Sequence, residues 1–283
     1  MPNSIRSGMN PKLSIALLAL TLGAATASGQ APPNGALPDV IGIRPGMPIG
    51  EAYQLLKAHD PKGAILYGQK RIEGISEKPI THAFLYSPRG SGEDPEIIVV
   101  DVTFPPNQQT VWRVSRFLRI EPGKEPLPET LLAALRQKYG HEVPNTVPQN
   151  FYWVFDERGN PADRSGNLNL SDCAIYVEYV HAPGVLAQTA GAASSPNVPS
   201  GVALNPTAVV ANRDACHPFV YVRATFTPKA TDTRVIEAVG ITITDLGAGI
   251  RAGTATQALM GKAGEAQQRQ AIDHAKKQSA PTF

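Results

Sequence analysis

The sequence predicts an α+β protein of two successive units, each a helix followed by antiparallel strands, with the helices on one face of the sheet or sheets. Three observations carry this. Two segments repeat apolar residues at helical spacing, from Ile49 and again within residues 126–140. Each is followed by short runs in which apolar and polar residues alternate. The 26 Pro and 25 Gly in 283 residues favour many turns and strands over long helices.

The chain opens with a basic stretch carrying Arg6 and Lys12, an apolar run from Leu13 to Ala25, and the small residues "ATASGQA". This order predicts a signal peptide over residues 1–29, cut after Ala27 or Gly29, and hence a periplasmic or secreted protein. A retained N-terminal anchor is the other reading, but the run is short for a span. No later stretch is apolar enough to cross a bilayer, so no transmembrane segment is expected after cleavage. Residues 1–29 hold two of the 26 basic residues and none of the 24 acidic ones. The remainder balances 24 charges of each sign, which removes the global field that draws a protein to nucleic acid.

Residues 30–38, rich in Pro, Gly and Asn, read as a linker. The first unit is expected over 39–120. "DVIGI" reads as a strand and "RPGMP" as a turn. A helix follows with Ile49, Ala52, Tyr53 and Leu56 on one stripe. Pro48 suits its first turn, Glu51 the positive end of its dipole, and Asp60-Pro61 its stop. "AILYGQ", "THAFLYS", "EIIVVDVTF" and "TVWRVSRFLRI" then read as strands, the last with Arg113, Ser115 and Arg119 on a wet face.

The second unit is expected over 121–253. Its helix places Leu131, Leu132, Leu135 and Tyr139 on one face, with Gly140 as the stop. "NFYWVFD", "CAIYVEYVH", "FVYVRATFT" and "VIEAVGITITD" are its strands. The Ala, Gly, Pro and Ser-rich insertion 182–215 is expected to be disordered, and 254–283 to be a polar, partly helical tail. The two sheets could pair into one or stay as two lobes.

Cys173 and Cys216 flank the insertion. In an oxidising compartment a disulfide is the default for a lone pair, worth roughly 4 kcal/mol for a loop of this size. The sharper alternative is a reactive thiol beside His217. Catalytic chemistry finds no foothold. The six histidines lack metal-ligand spacing, and G-x-S-x-G and the phosphate-binding P-loop are absent. Neither a metal nor a cofactor is expected. Gly247-x-Gly249-x-x-Ala252 copies a dinucleotide fingerprint, but no second parallel strand can follow it, so it reads as a glycine-rich strand exit. In "NFYWVFD" the face of Phe151, Trp153 and Phe155 reads as core; Tyr152, Tyr176, Tyr179 and Tyr221 are the candidates for an outer, partner-contacting face.

"IGIRPGMPIGEAYQLL" resembles the G-M-(S/T)-x-x-E-V-x-x-x-L entry helix of small periplasmic modules, including the outer-membrane assembly lipoprotein BamE and the tandem β-lactamase-inhibitor proteins. The chain thus resembles exported bacterial proteins of tandem helix-plus-sheet modules. That resemblance, over about 16 residues, implies helices on one face of an antiparallel sheet and a role in binding other proteins. Pro48 and Gly50 depart from the pattern, and the lipid-bearing Cys is missing. The expected function is a non-catalytic periplasmic interaction or envelope-associated module, its partner another envelope protein. The alternative is a hydrolase or small-ligand protein with a site assembled from scattered residues.

Overall fold

The computed structural model describes residues 36–71, 76–88, 94–144, 149–162 and 219–278. The expected disulfide, insertion, strand at 173–181 and signal peptide lie outside them, as do Tyr176 and Tyr179. The described chain runs α1 (Ile49–His59), β1 (Ala64–Lys70), β2 (Ile80–Ser87), β3 (Glu96–Val102), β4 (Val111–Arg119), α2 (Pro128–Tyr139), β5 (Asn150–Phe155), β6 (Val220–Lys229), β7 (Asp232–Asp245) and α3 (Leu246–Lys276). The fold is α+β. Its strands form one antiparallel sheet of seven, in the order β1-β2-β3-β4-β7-β6-β5.

Register fixes the two faces. Ile98 and Val100 of β3, Val114 of β4, Ile243 of β7, Val222 and Ala224 of β6, and Trp153 of β5 share one face, buried against α1 and α2. Ala52 and Leu56 of α1, and Leu135 and Tyr139 of α2, close this core. The helical stripes read from the sequence are therefore the packed ones. Trp153 meets Tyr139 at 5.6 Å between ring centroids and donates its Nε1–H to the Gly140 carbonyl at 2.8 Å. Gly140 takes φ +83°, the left-handed stop that its position predicts.

The start of the described chain is not the expected strand. Ile41 and Gly42 both take positive φ, and the Asp39 carboxylate accepts the Gly42 N–H at 2.8 Å, so Val40–Ile43 is a tight turn. Local chemistry, an Asp and a Gly three residues apart, overrides the short apolar run. Next, Gly46 N–H bonds the Val111 carbonyl and Val111 N–H bonds the Met47 carbonyl, both at 2.8 Å. That pairing to the start of β4 aims α1 across the sheet. The lead-in is also held by the second half of the chain. Lys138 Nζ and the Tyr139 hydroxyl donate to the Asp39 carbonyl at 3.0 and 3.2 Å. The Ala36 carbonyl passes so close to Gly159 that a β-carbon there would lie 2.6 Å away.

On the other face, Arg113 is not on a wet surface as its alternation predicts; it is buried and paired with Asp101 at 2.8 Å. The reason is α3. This helix begins directly after β7, with the Asp245 carboxylate accepting the Ala248 N–H at 2.7 Å, and its first turns cover this face beside β4. Gly249 allows the approach, since a β-carbon there would sit 2.7 Å from the Trp112 ring. The glycines of the dinucleotide-like pattern thus lie inside a helix whose N-terminus is already capped by a carboxylate, after an antiparallel strand. The helix is continuous across residues 253 and 254, where the tail was expected to begin. Beyond Met260 it leaves the sheet, and residues from Lys262 to Gln278 are exposed except Ala263.

Candidate interaction surface

The two edges of the sheet are finished differently. The β5 edge is covered by the chain itself: Val143 N–H bonds the Tyr152 carbonyl at 2.7 Å and Ala162 N–H bonds the Val154 carbonyl at 2.8 Å. β1 lies at the opposite end, paired with β2 alone among the described residues. An open edge offers unpaired backbone donors and acceptors to any extended chain.

The side chains of β1 suit that use. Its first six residues, Ala64 to Gln69, carry no charge. Leu66 is 43% exposed and Tyr67 is 41% exposed, and period-2 alternation sends them to opposite faces. Tyr67 lies on the α1 side, at 6.2 Å from the Tyr53 ring and 5.6 Å from Phe84. A hydrogen bond with Tyr53 is the main reason the Tyr67 hydroxyl titrates above its ordinary range. The stacked aromatic pair forms an open ledge beside the edge. Cations flank it: exposed Lys62 precedes β1, exposed Arg71 follows it, and Lys57 lies one helical turn beyond Tyr53.

Several ionisable groups near this edge engage one another. Glu96 bridges His59 of α1, at 2.8 Å, and Arg116 of β4, at 2.6 Å. Asp60 accepts the Lys62 N–H at 2.9 Å and the Tyr86 hydroxyl at 3.1 Å. The first of these bonds leads in holding the Asp60 carboxyl below its usual range; burial, then the bond to Asp60, pushes Tyr86 up to about 12. Ser87 donates to the buried Asp94. A small opening lies between His82, Asp101, Phe104, Trp112 and Gly249, with room for about one water. His82 reaches it because a bulge skips it: Gly68 faces Ala83 and Gln69 faces Thr81, and the imidazole stacks on Phe104 at 5.3 Å. Among the described residues no three His, Asp or Glu converge as metal ligands, and no helix is long and apolar enough to cross a membrane.

No family model, curated protein or solved structure matches this chain.

Of the tyrosines singled out in the sequence, Tyr152 and Tyr221 do lie on the face away from α1 and α2, but each is only 3% exposed. Sequence reasoning missed Leu66 and Tyr67. The available signal was an uncharged six-residue run in the first strand of a meander, the position with no preceding strand to cover it.

Proposed function

We propose that this chain is an exported, non-catalytic interaction module of the cell envelope that binds another envelope protein through the β1 edge. The observation that carries the reading is the contrast between the edges: β5 is closed by its own chain, while β1 keeps two large apolar residues open on a strand whose first six residues are uncharged. In this reading the sheet comprises two helix-then-strands units, α1 with β1–β4 and α2 with β5–β7, joined along β4 and β7. The likeness of the α1 entry to the periplasmic modules named above supports both the export and the binding role. A disulfide between Cys173 and Cys216 belongs to the same reading.

The test is capture from envelope extract by the immobilised mature protein and by a Leu66→Lys/Tyr67→Lys double variant of unchanged circular dichroism and melting temperature. Specific capture should vanish with the variant. Equal capture by both proteins refutes the edge as the contact.

A further inference from the structure

The chemistry around β1 also specifies what it takes. Resting on the reading of β1 as the contact strand, we infer that its partner is an extended polypeptide segment with an uncharged, β-branched centre and carboxylates at both ends. The centre of β1 presents Leu66 and Tyr67 without a charge, so the paired residues of an added strand meet apolar neighbours on both faces. The ends are cationic. Lys62 stands in the turn before β1 and Arg71 directly after it, and Lys57 reinforces the N-terminal end on the Tyr53 side. Two carboxylates lie near in sequence: Asp60, engaged by the Lys62 N–H and the Tyr86 hydroxyl, and Glu73, two residues beyond Arg71. From Lys70 to Lys78 the three cations Lys70, Arg71 and Lys78 outnumber the two carboxylates Glu73 and Glu77, so this end is cationic in sum.

These charges also argue against a second copy as the occupant. In an antiparallel β1–β1 pairing centred between Leu66 and Tyr67, Lys62 of one chain falls beside Arg71 of the other. That arrangement sets like charges together at both ends of the contact. A neutral apolar strand would leave the cations without counterparts. An acid-ended strand satisfies the edge hydrogen bonds, the apolar centre and both ends at once.

The test uses a fluorescein-labelled peptide of about nine residues, alternating Val and Thr with two Glu at each end. Its binding to the mature protein is followed by anisotropy at low and high salt. Saturable binding is expected, weakened at least tenfold when Lys replaces Glu, abolished by N-methylation of alternate central residues, and weakened by salt. N-methylation alters the probe alone, so its effect cannot come from misfolding of the protein. Equal binding of the Glu- and Lys-ended peptides, no binding of the Glu-ended one, or edge-dependent self-association without peptide binding overturns the inference. If the Leu66→Lys/Tyr67→Lys variant still abolishes capture from extract, the edge reading survives that failure; if capture is unaffected, it falls as well.

Discussion

At the scale of single residues, buried polar groups make the sharpest demands. Arg113 and Asp101 form an ion pair under the first turns of α3, both nearly inaccessible to water. Arg113→Met leaves the carboxylate buried without its partner and should cost about 3–5 kcal/mol, read by urea denaturation. Tyr86 is a milder case. Its ionisation is pushed up to about 12, by burial and then by the bond to Asp60. The folded state therefore holds this proton more tightly than the unfolded chain, whose tyrosines titrate near 10. The stabilisation is complete below pH 10 and is lost as pH rises through 12. Asp60 runs the other way: its depressed carboxyl contributes above the ordinary carboxylate range and loses that contribution as pH falls through its folded value. Tyr86→Phe should cost about 1 kcal/mol at neutral pH and flatten the alkaline limb of the stability profile. An unchanged limb would place the alkaline sensitivity elsewhere.

Elements were legible where one physical signal dominated. The stripes of α1 and α2 and all seven described strands follow from periodicity, because each buries a face against the core. What escaped was set by long-range contact. The Val40–Ile43 turn, the His82 bulge and the early start of α3 depend on partners distant in sequence or on local hydrogen bonds that apolar patterning does not encode. The candidate edge escaped for a related reason: exposure of Leu66 and Tyr67 is a property of sheet order. Glycines within α3 separate the two regimes. Gly249→Ala gains helix propensity but drives a β-carbon into the Trp112 ring, so overpacking of about 1–3 kcal/mol should prevail and lower the melting temperature. Gly264 has nothing within 4 Å. Gly264→Ala should raise helical circular dichroism and leave the melting temperature of the body unchanged.

For the whole molecule, the continuous sheet has an energetic meaning. β4 and β7 pair in register from Arg113–Thr244 to Arg119–Ala238, and one apolar core runs beneath them. The α1 and α2 halves are therefore expected to unfold together. The chain has two tryptophans, Trp112 in β4 and Trp153 in β5. Trp112→Phe and Trp153→Phe, each leaving one reporter, should give fluorescence transitions that coincide with loss of circular dichroism within the same variant. Separate midpoints would mean two independent bodies.

The bond between β4 and β7 also sets a timetable. More than a hundred residues must be synthesised after β4 before its permanent neighbour exists. During that interval the flank that later becomes the middle of the sheet is bare in the nascent chain, a template for any passing strand. Safe production of this protein therefore depends on whatever shields Val111–Arg119 while the rest of the polypeptide is being made.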